Sequence, residues 1–171
     1  MKEYKLVWAD EFDYQGKPDP KKWNYDIGDK KWGNGETQYY TEGLNVEVKD
    51  GKMILEGRVE PYLDAPYTSC RMTTYELKHF QYGRIEVKAK IPTAKGSWPA
   101  IWMLPVDFKG KNPIPWPRCG EIDIMEHITH QMNTVHVSLH TSQFNHVQRT
   151  QRTHFEPIKG VTESFHEFAM D

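Results

Sequence analysis

Along most of the chain, apolar and polar residues alternate with a period of two, and no stretch sustains a 3.6-residue period for three turns. Asn45-Val46-Glu47-Val48-Lys49 and Lys52-Met53-Ile54-Leu55-Glu56 flank Asp50-Gly51, which predicts a hairpin closed by an Asp-Gly turn. Residues 82–91 alternate cleanly up to Pro92, and residues 134–140 and 165–170 repeat the pattern. Many short strands punctuated by Gly and Pro predict an all-β chain folded as a β-sandwich. Pro- and Gly-rich residues 105–117 and polar residues 141–153 are expected to be loops. Strand patterns resume directly after each, so neither reads as a linker, and residues 1–171 are expected to form one domain. The run from Phe165 to Met170 meets Asp171 with no turn or cap after it. It is expected to lie at an exposed apolar edge, in a sandwich that is incomplete within this chain.

The segment richest in chemistry is Cys119-Gly120-Glu121-Ile122-Asp123-Ile124-Met125-Glu126-His127-Ile128. In a strand, residues i and i+2 share a face, so Glu121 and Asp123 point one way while Ile122 and Ile124 point into the core. Glu126 stands at odd spacing and falls on the core face unless a β-bulge near Met125 turns it back. With that bulge, the two glutamate Cα atoms lie roughly 13 Å apart at ~3.3 Å per residue. Each side chain reaches about 4 Å, which leaves about 5–6 Å between carboxyls. Retaining glycosidases hold their nucleophile and acid/base at about that separation. Three carboxylates on one face repel and raise at least one pKa, a cost to folding that suits proton transfer. A solvated acidic edge strand is the alternative reading of the bare pattern. His127 is expected to face the core.

Composition adds to this picture. Of 171 residues, six are Trp, nine Tyr and seven Phe, an aromatic share of 13% that exceeds what a core of this size needs and suggests a surface of flat faces. The 22 Lys plus Arg nearly balance the 24 Asp plus Glu, so the chain lacks the basic stripe of a nucleic-acid binder. No apolar run is long enough for a membrane helix. The start, Met1-Lys2-Glu3-Tyr4, lacks a signal peptide's apolar stretch, which is read as a cytoplasmic chain or one that begins after a removed signal. Cys70 and Cys119 fit one disulfide or two free thiols.

Taken together, Gly120-Glu121-Ile122-Asp123-Ile124-Met125-Glu126 resembles the signature of glycoside hydrolase family sixteen, in its bulged, laminarinase-like form. Trp98-Pro99-Ala100-Ile101-Trp102-Met103-Leu104-Pro105, residues 32–41, Tyr67-Thr68-Ser69-Cys70-Arg71 and Trp8-Ala9-Asp10-Glu11-Phe12 resemble further family blocks, in the expected order along nearly the whole chain. The resemblance implies a jelly-roll β-sandwich with a concave substrate cleft, of which this chain holds the N-terminal two-thirds or so. It implies retaining endo-hydrolysis of β-1,3- or mixed-linkage β-1,3-1,4-glucan. Glu121 would be the nucleophile, Glu126 the general acid/base, and Asp123 the group between them that tunes the nucleophile.

Trp98, Trp102 and Trp116 would offer faces to sugar rings, with core packing as the competing role, most strongly so for Trp102. Asn34, Glu36 and Arg71 would bind sugar hydroxyls, and His140 would face the cleft, with a structural role as its competing reading. An ion pair with the acidic strand is the other reading of Arg71. The family likeness also implies a structural calcium held in part by Glu11 and the carbonyl of Gly51, with no cofactor needed for the chemistry. It implies a protein that is secreted or periplasmic, with a polysaccharide as its partner and neither nucleic acid nor membrane. The near-neutral charge favours β-glucan over sulfated polymers. The rival readings are a non-catalytic carbohydrate-binding sandwich and an inactive fragment. The fragment would need a complementary C-terminal chain or a swapped protomer.

Overall fold

The computed structural model describes residues 3–171; Met1 and Lys2, part of the polar start noted above, lie outside the described residues. The chain divides into two compact units, the first ending at Gln81 and the second running from Tyr82 to Asp171. Strands are the main regular structure of both, and among the described residues the helical content is two short 3-10 turns, Lys31–Gly33 and Val106–Phe108. No helix among the described residues is long and apolar enough to cross a membrane.

In the first unit, β1 (Asn24–Tyr25) pairs with β6 (Met72–Thr73), and β2 (Gln38–Tyr40) runs parallel to β5 (Tyr67–Ser69). The predicted hairpin is β3 (Val46–Lys49) against β4 (Lys52–Leu55). Its turn residues Asp50 and Gly51 both hold positive φ, 54° and 71°, the geometry that a two-residue type I′ turn demands and that Gly adopts without strain. Val46 and Val48 are buried and Glu47 and Lys49 exposed, as alternation requires. Asn45, expected to begin the strand, is instead a buried hub. It accepts from the Thr41 hydroxyl and donates to the Glu56 carbonyl and the Thr68 hydroxyl oxygen.

The second unit holds the four-stranded antiparallel sheet β11-β10-β9-β8 and the pair β12-β7. Their spans are β7 (Ile85–Ala89), β8 (Ala100–Met103), β9 (Glu121–Glu126), β10 (Thr134–His140), β11 (Arg152–Pro157) and β12 (His166–Met170). Ile124, Met125 and Val135 from the larger sheet meet Phe168, Ile91 and Val161 in one buried cluster. Ile101, Met103, Ile122, Val137, Ile85 and Met170 pack around it, so one face of the four-stranded sheet is core and the other is free to carry polar chemistry.

Two expectations need correction. Residues 152–153 belong to β11 and not to the preceding loop. Pairing with β10 supplies the order that the polar sequence of this strand conceals. The last strand begins at His166, because Phe165 lies outside it and stays 44% exposed. Strand β12 pairs with β7 along one edge and buries Phe168; its other edge has no partner strand among the described residues.

Candidate active site

Strand β9 places all three acidic side chains on the free face of its sheet. Opposite β10, Glu121 pairs with His140, Asp123 with Ser138 and Glu126 with His136. Three residues of β9 thus advance against two of β10, and against β8 the register slips between Ile101 and Trp102. The extra residue is a β-bulge at Ile124–Met125, where both side chains enter the core, at 6% and 2% exposure. Without it, Glu126 would follow Ile122 and Ile124 into apolar surroundings. With it, Glu121 and Glu126 face His140 and His136, four residues apart on β10, or roughly 13 Å at ~3.3 Å per residue.

The two glutamates differ in their partners. Glu121 accepts a hydrogen bond from the Trp116 indole N–H and shares another with Asp123. Glu126 accepts one from the Trp98 indole N–H at 3.0 Å. Burial, aided by the charge of Glu121, holds the Glu126 carboxyl above its ordinary range even though the Trp98 bond opposes it. Asp123 is only 5% exposed, and burial, followed by the charges of Glu121 and Glu126, pushes it up to about 8. Its proton is thereby available to Glu121.

His140 completes this network. Its Nε2 lies 3.2 Å from Asp123 Oδ2. Burial, followed by the proximity of His146, lowers its pKa, so the ring is neutral and donates from Nε2. The other nitrogen, Nδ1, is buried with no hydrogen-bond partner among the described residues, consistent with its being the unprotonated one. The resulting chain runs from His140 through Asp123 to Glu121, which accepts from the Trp116 indole, beside a Glu126 whose carboxyl burial holds above its ordinary range. The arrangement can deliver a nucleophile and a proton donor to one bond.

Trp116 and Trp98 join the carboxylates through their indole nitrogens. Trp102, expected to face the sugar with core packing as the competing role, pairs with Asp123 across the strands and so shares its face. His127 is fully buried, with Nδ1 2.9 Å from the Thr134 carbonyl, as its core-facing position implied. His146 was not foreseen. It stacks on Trp116 at 4.6 Å and meets His140 edge-on at 5.5 Å, from a polar loop whose sequence carries no periodic signal.

Asn34, Glu36 and Arg71 belong to the first unit and are gathered there. Glu36 accepts from Tyr40 Oη at 2.6 Å, from Gln38 Nε2, and from Asn34 Nδ2 at 3.3 Å. Arg71 Nε donates to Asp26 at 3.0 Å, and its guanidinium lies over the Trp32 ring at 4.6 Å. Glu11 is an exposed carboxylate and Gly51 sits at an exposed turn. Among the described residues no group of three His, Cys, Asp or Glu side chains is placed to hold a metal. No chemical step is routed through calcium. Cys70 and Cys119 are both free thiols, and burial pushes Cys70 up to about 11.

Comparison with known proteins follows the same lines. The model of "Glycosyl hydrolases family 16" matches residues 26–171. A β-glucanase of Rhodothermus marinus is 45% identical over 98% of this chain, which spans 59% of that relative's length. The crystal structure of the laminarinase from Rhodothermus marinus superposes with a TM-score of 0.92 at 43% identity, covering 99% of this chain and 68% of that one. A mutant of SCLam, a non-specific endo-β-1,3(4)-glucanase with 1,3-β-D-cellobiosyl-glucose at its active site, gives 0.92 at 40% identity, over 100% of this chain and 69% of its own.

Proposed function

The chain belongs to glycosyl hydrolase family 16, and from that premise we propose that it hydrolyses internal linkages of β-1,3- or mixed-linkage β-1,3-1,4-glucan with retention of configuration. The observation that carries the reading is the bulge at Ile124–Met125, which sets two differently solvated carboxyls on one face. Glu121, held as an anion by Trp116 and Asp123, attacks the anomeric carbon and forms a glycosyl-enzyme bond. Glu126 gives its proton to the leaving oxygen, then takes one from the water that breaks the intermediate. Asp123 positions and tunes Glu121 and makes no bond to sugar.

A binding-only role is disfavoured by the same cluster. Burying Asp123 between two glutamates costs stability that a passive sugar platform has no use for. Trp98, 48% exposed, offers a stacking face beside the proton donor, and Trp102 shares the face of Asp123. Asn34, Glu36 and Arg71 offer polar groups suited to sugar hydroxyls. A polymeric glucan does not cross membranes, which supports action in the periplasm or outside the cell.

The test is proton NMR of the first products from laminarin and from a mixed-linkage glucan. Retention predicts that the β-anomer appears first and mutarotates later. An α-anomer as first product, or no cleavage of either polymer, would overturn the reading.

A further inference from the structure

Strand β10 presents His136, Ser138 and His140 to the carboxylate face, while Val135 and Val137 belong to the core. The pairing continues onto β11, where Phe155 stands opposite His136 and Thr153 opposite Ser138. Glu126, His136 and Phe155 therefore form one row across three strands. At ~4.8 Å per strand, the Phe155 Cα lies about 10 Å from that of Glu126, on the same face. Phe155 is 56% exposed, and His136 meets it edge-on at 4.7 Å.

His136 is itself only 7% exposed. Burial, followed by the neighbouring His127 and His130, lowers its pKa, and its Nε2 lies 2.6 Å from Gln131 Oε1, an oxygen that can only accept, so Nε2–H is the donor. That bond fixes which way the amide points. Its nitrogen makes no hydrogen bond among the described residues and is left to donate outward. An isolated exposed Phe would call for no explanation. A braced aromatic ring beside an oriented amide donor, in register with the proton donor, is suited to a pyranose ring with its apolar C–H face and its rim of hydroxyls.

We propose that Phe155 and Gln131 form a glucose-binding subsite on the β11 side of the catalytic row, with His136 as the residue that positions both. The inference rests on the hydrolase reading for the identity of the sugar. It implies that long glucans gain affinity from this subsite, whereas oligosaccharides too short to reach it do not.

The experiment compares Phe155→Ala, Phe155→Trp and Gln131→Ala with the parent in hydrolysis of laminarin and of short and long oligosaccharides of the same linkage. Affinity is measured separately in the Glu121→Gln background by calorimetry. Phe155→Ala should raise KM on laminarin about tenfold, as expected when tens of Å² of apolar contact are withdrawn, with kcat less affected. Phe155→Trp should restore KM, which a merely structural defect would not allow. His154→Ala, on the opposite face of β11, should leave both parameters unchanged.

If the parent cleaves laminarin and Phe155→Ala matches it in KM and in product lengths, the subsite is refuted and the hydrolase reading stands. If the parent cleaves no glucan, the hydrolase reading fails, and calorimetry decides the subsite alone. A Glu121→Gln affinity for laminarin that Phe155→Ala weakens upholds it; equal affinity, or no binding by either, overturns it.

Discussion

Replacing Asp123 by Asn probes the buried proton directly. The amide is isosteric with a protonated carboxyl and can keep both bonds, donating to Glu121 and accepting from His140 Nε2. It cannot ionise. In the folded parent, Asp123 is pushed up from 3.8 to about 8, first by burial and then by Glu121 and Glu126. A carboxyl whose folded pKa is raised contributes stability that is whole below its unfolded pKa. That contribution is lost as pH rises through the window up to the folded value. Between about pH 4 and pH 8 the parent should lose ~1.4 kcal/mol per pH unit from this proton, and the Asn variant should lose none.

Because the two carboxyls share a hydrogen bond, the window belongs to the Asp123–Glu121 pair. From pH 5 to pH 7 the difference in unfolding free energy should therefore move by about 2.7 kcal/mol in favour of the Asp123→Asn variant. For a chain of this length that widens the Tm gap by roughly 5–10 °C. Urea and thermal melts of both proteins at pH 5, 6 and 7 measure it. Parallel stability curves would refute the buried-proton argument, whatever the offset between them. On activity, Asp123→Asn should cost less than loss of either glutamate, since it retunes the nucleophile without removing a reacting atom.

Glu121→Gln and Glu126→Gln should each lower kcat on laminarin by several orders of magnitude with unchanged circular dichroism, as expected for groups that act as a unit. Near-parental rates in either would refute the role given to it. Trp98→Phe deletes the N–H that stabilises the charged form of Glu126. The Glu126 pKa should rise further and the basic limb of kcat/KM shift to higher pH, read from a pH–rate profile. A shift to lower pH would contradict the hydrogen-bond argument. Met125→Ala empties a 2%-exposed position in the bulge and should destabilise by about 2–5 kcal/mol in urea denaturation.

Alternation exposed β3, β7, β9, β10 and β12 to sequence reading because each has one buried and one solvated face. The pairs β1–β6 and β2–β5 were illegible, since two or three residues are too few to establish a period. Strand β11 escaped for a different reason. Arg152, His154 and Glu156 on one face and Thr153 on the other leave Phe155 as its only large apolar residue. In the site, the bulge was legible because Glu126 at odd spacing would otherwise have had to be buried among Ile and Met. The face of Trp102 was not, because a Trp in an apolar run serves core and cleft equally well. His146 depends on where a loop folds back onto Trp116, which no local pattern encodes.

The bulge also makes β9 a problem of parity. Glu121 and Glu126 are separated by an odd number of steps, and the bulge supplies the single correction that makes the count effectively even. Deleting Met125 would remove odd count and correction together, so the two carboxyls would still share a face, with one core anchor fewer. Inserting one residue while the bulge stays, or deleting two while it is lost, would leave count and correction mismatched and send one carboxyl into the core. The strand can thus change length asymmetrically. One residue shorter, without the bulge, keeps the ~13 Å spacing of the two Cα atoms, whereas one longer without it keeps a shared face but spreads them to about 20 Å, beyond reach of one bond.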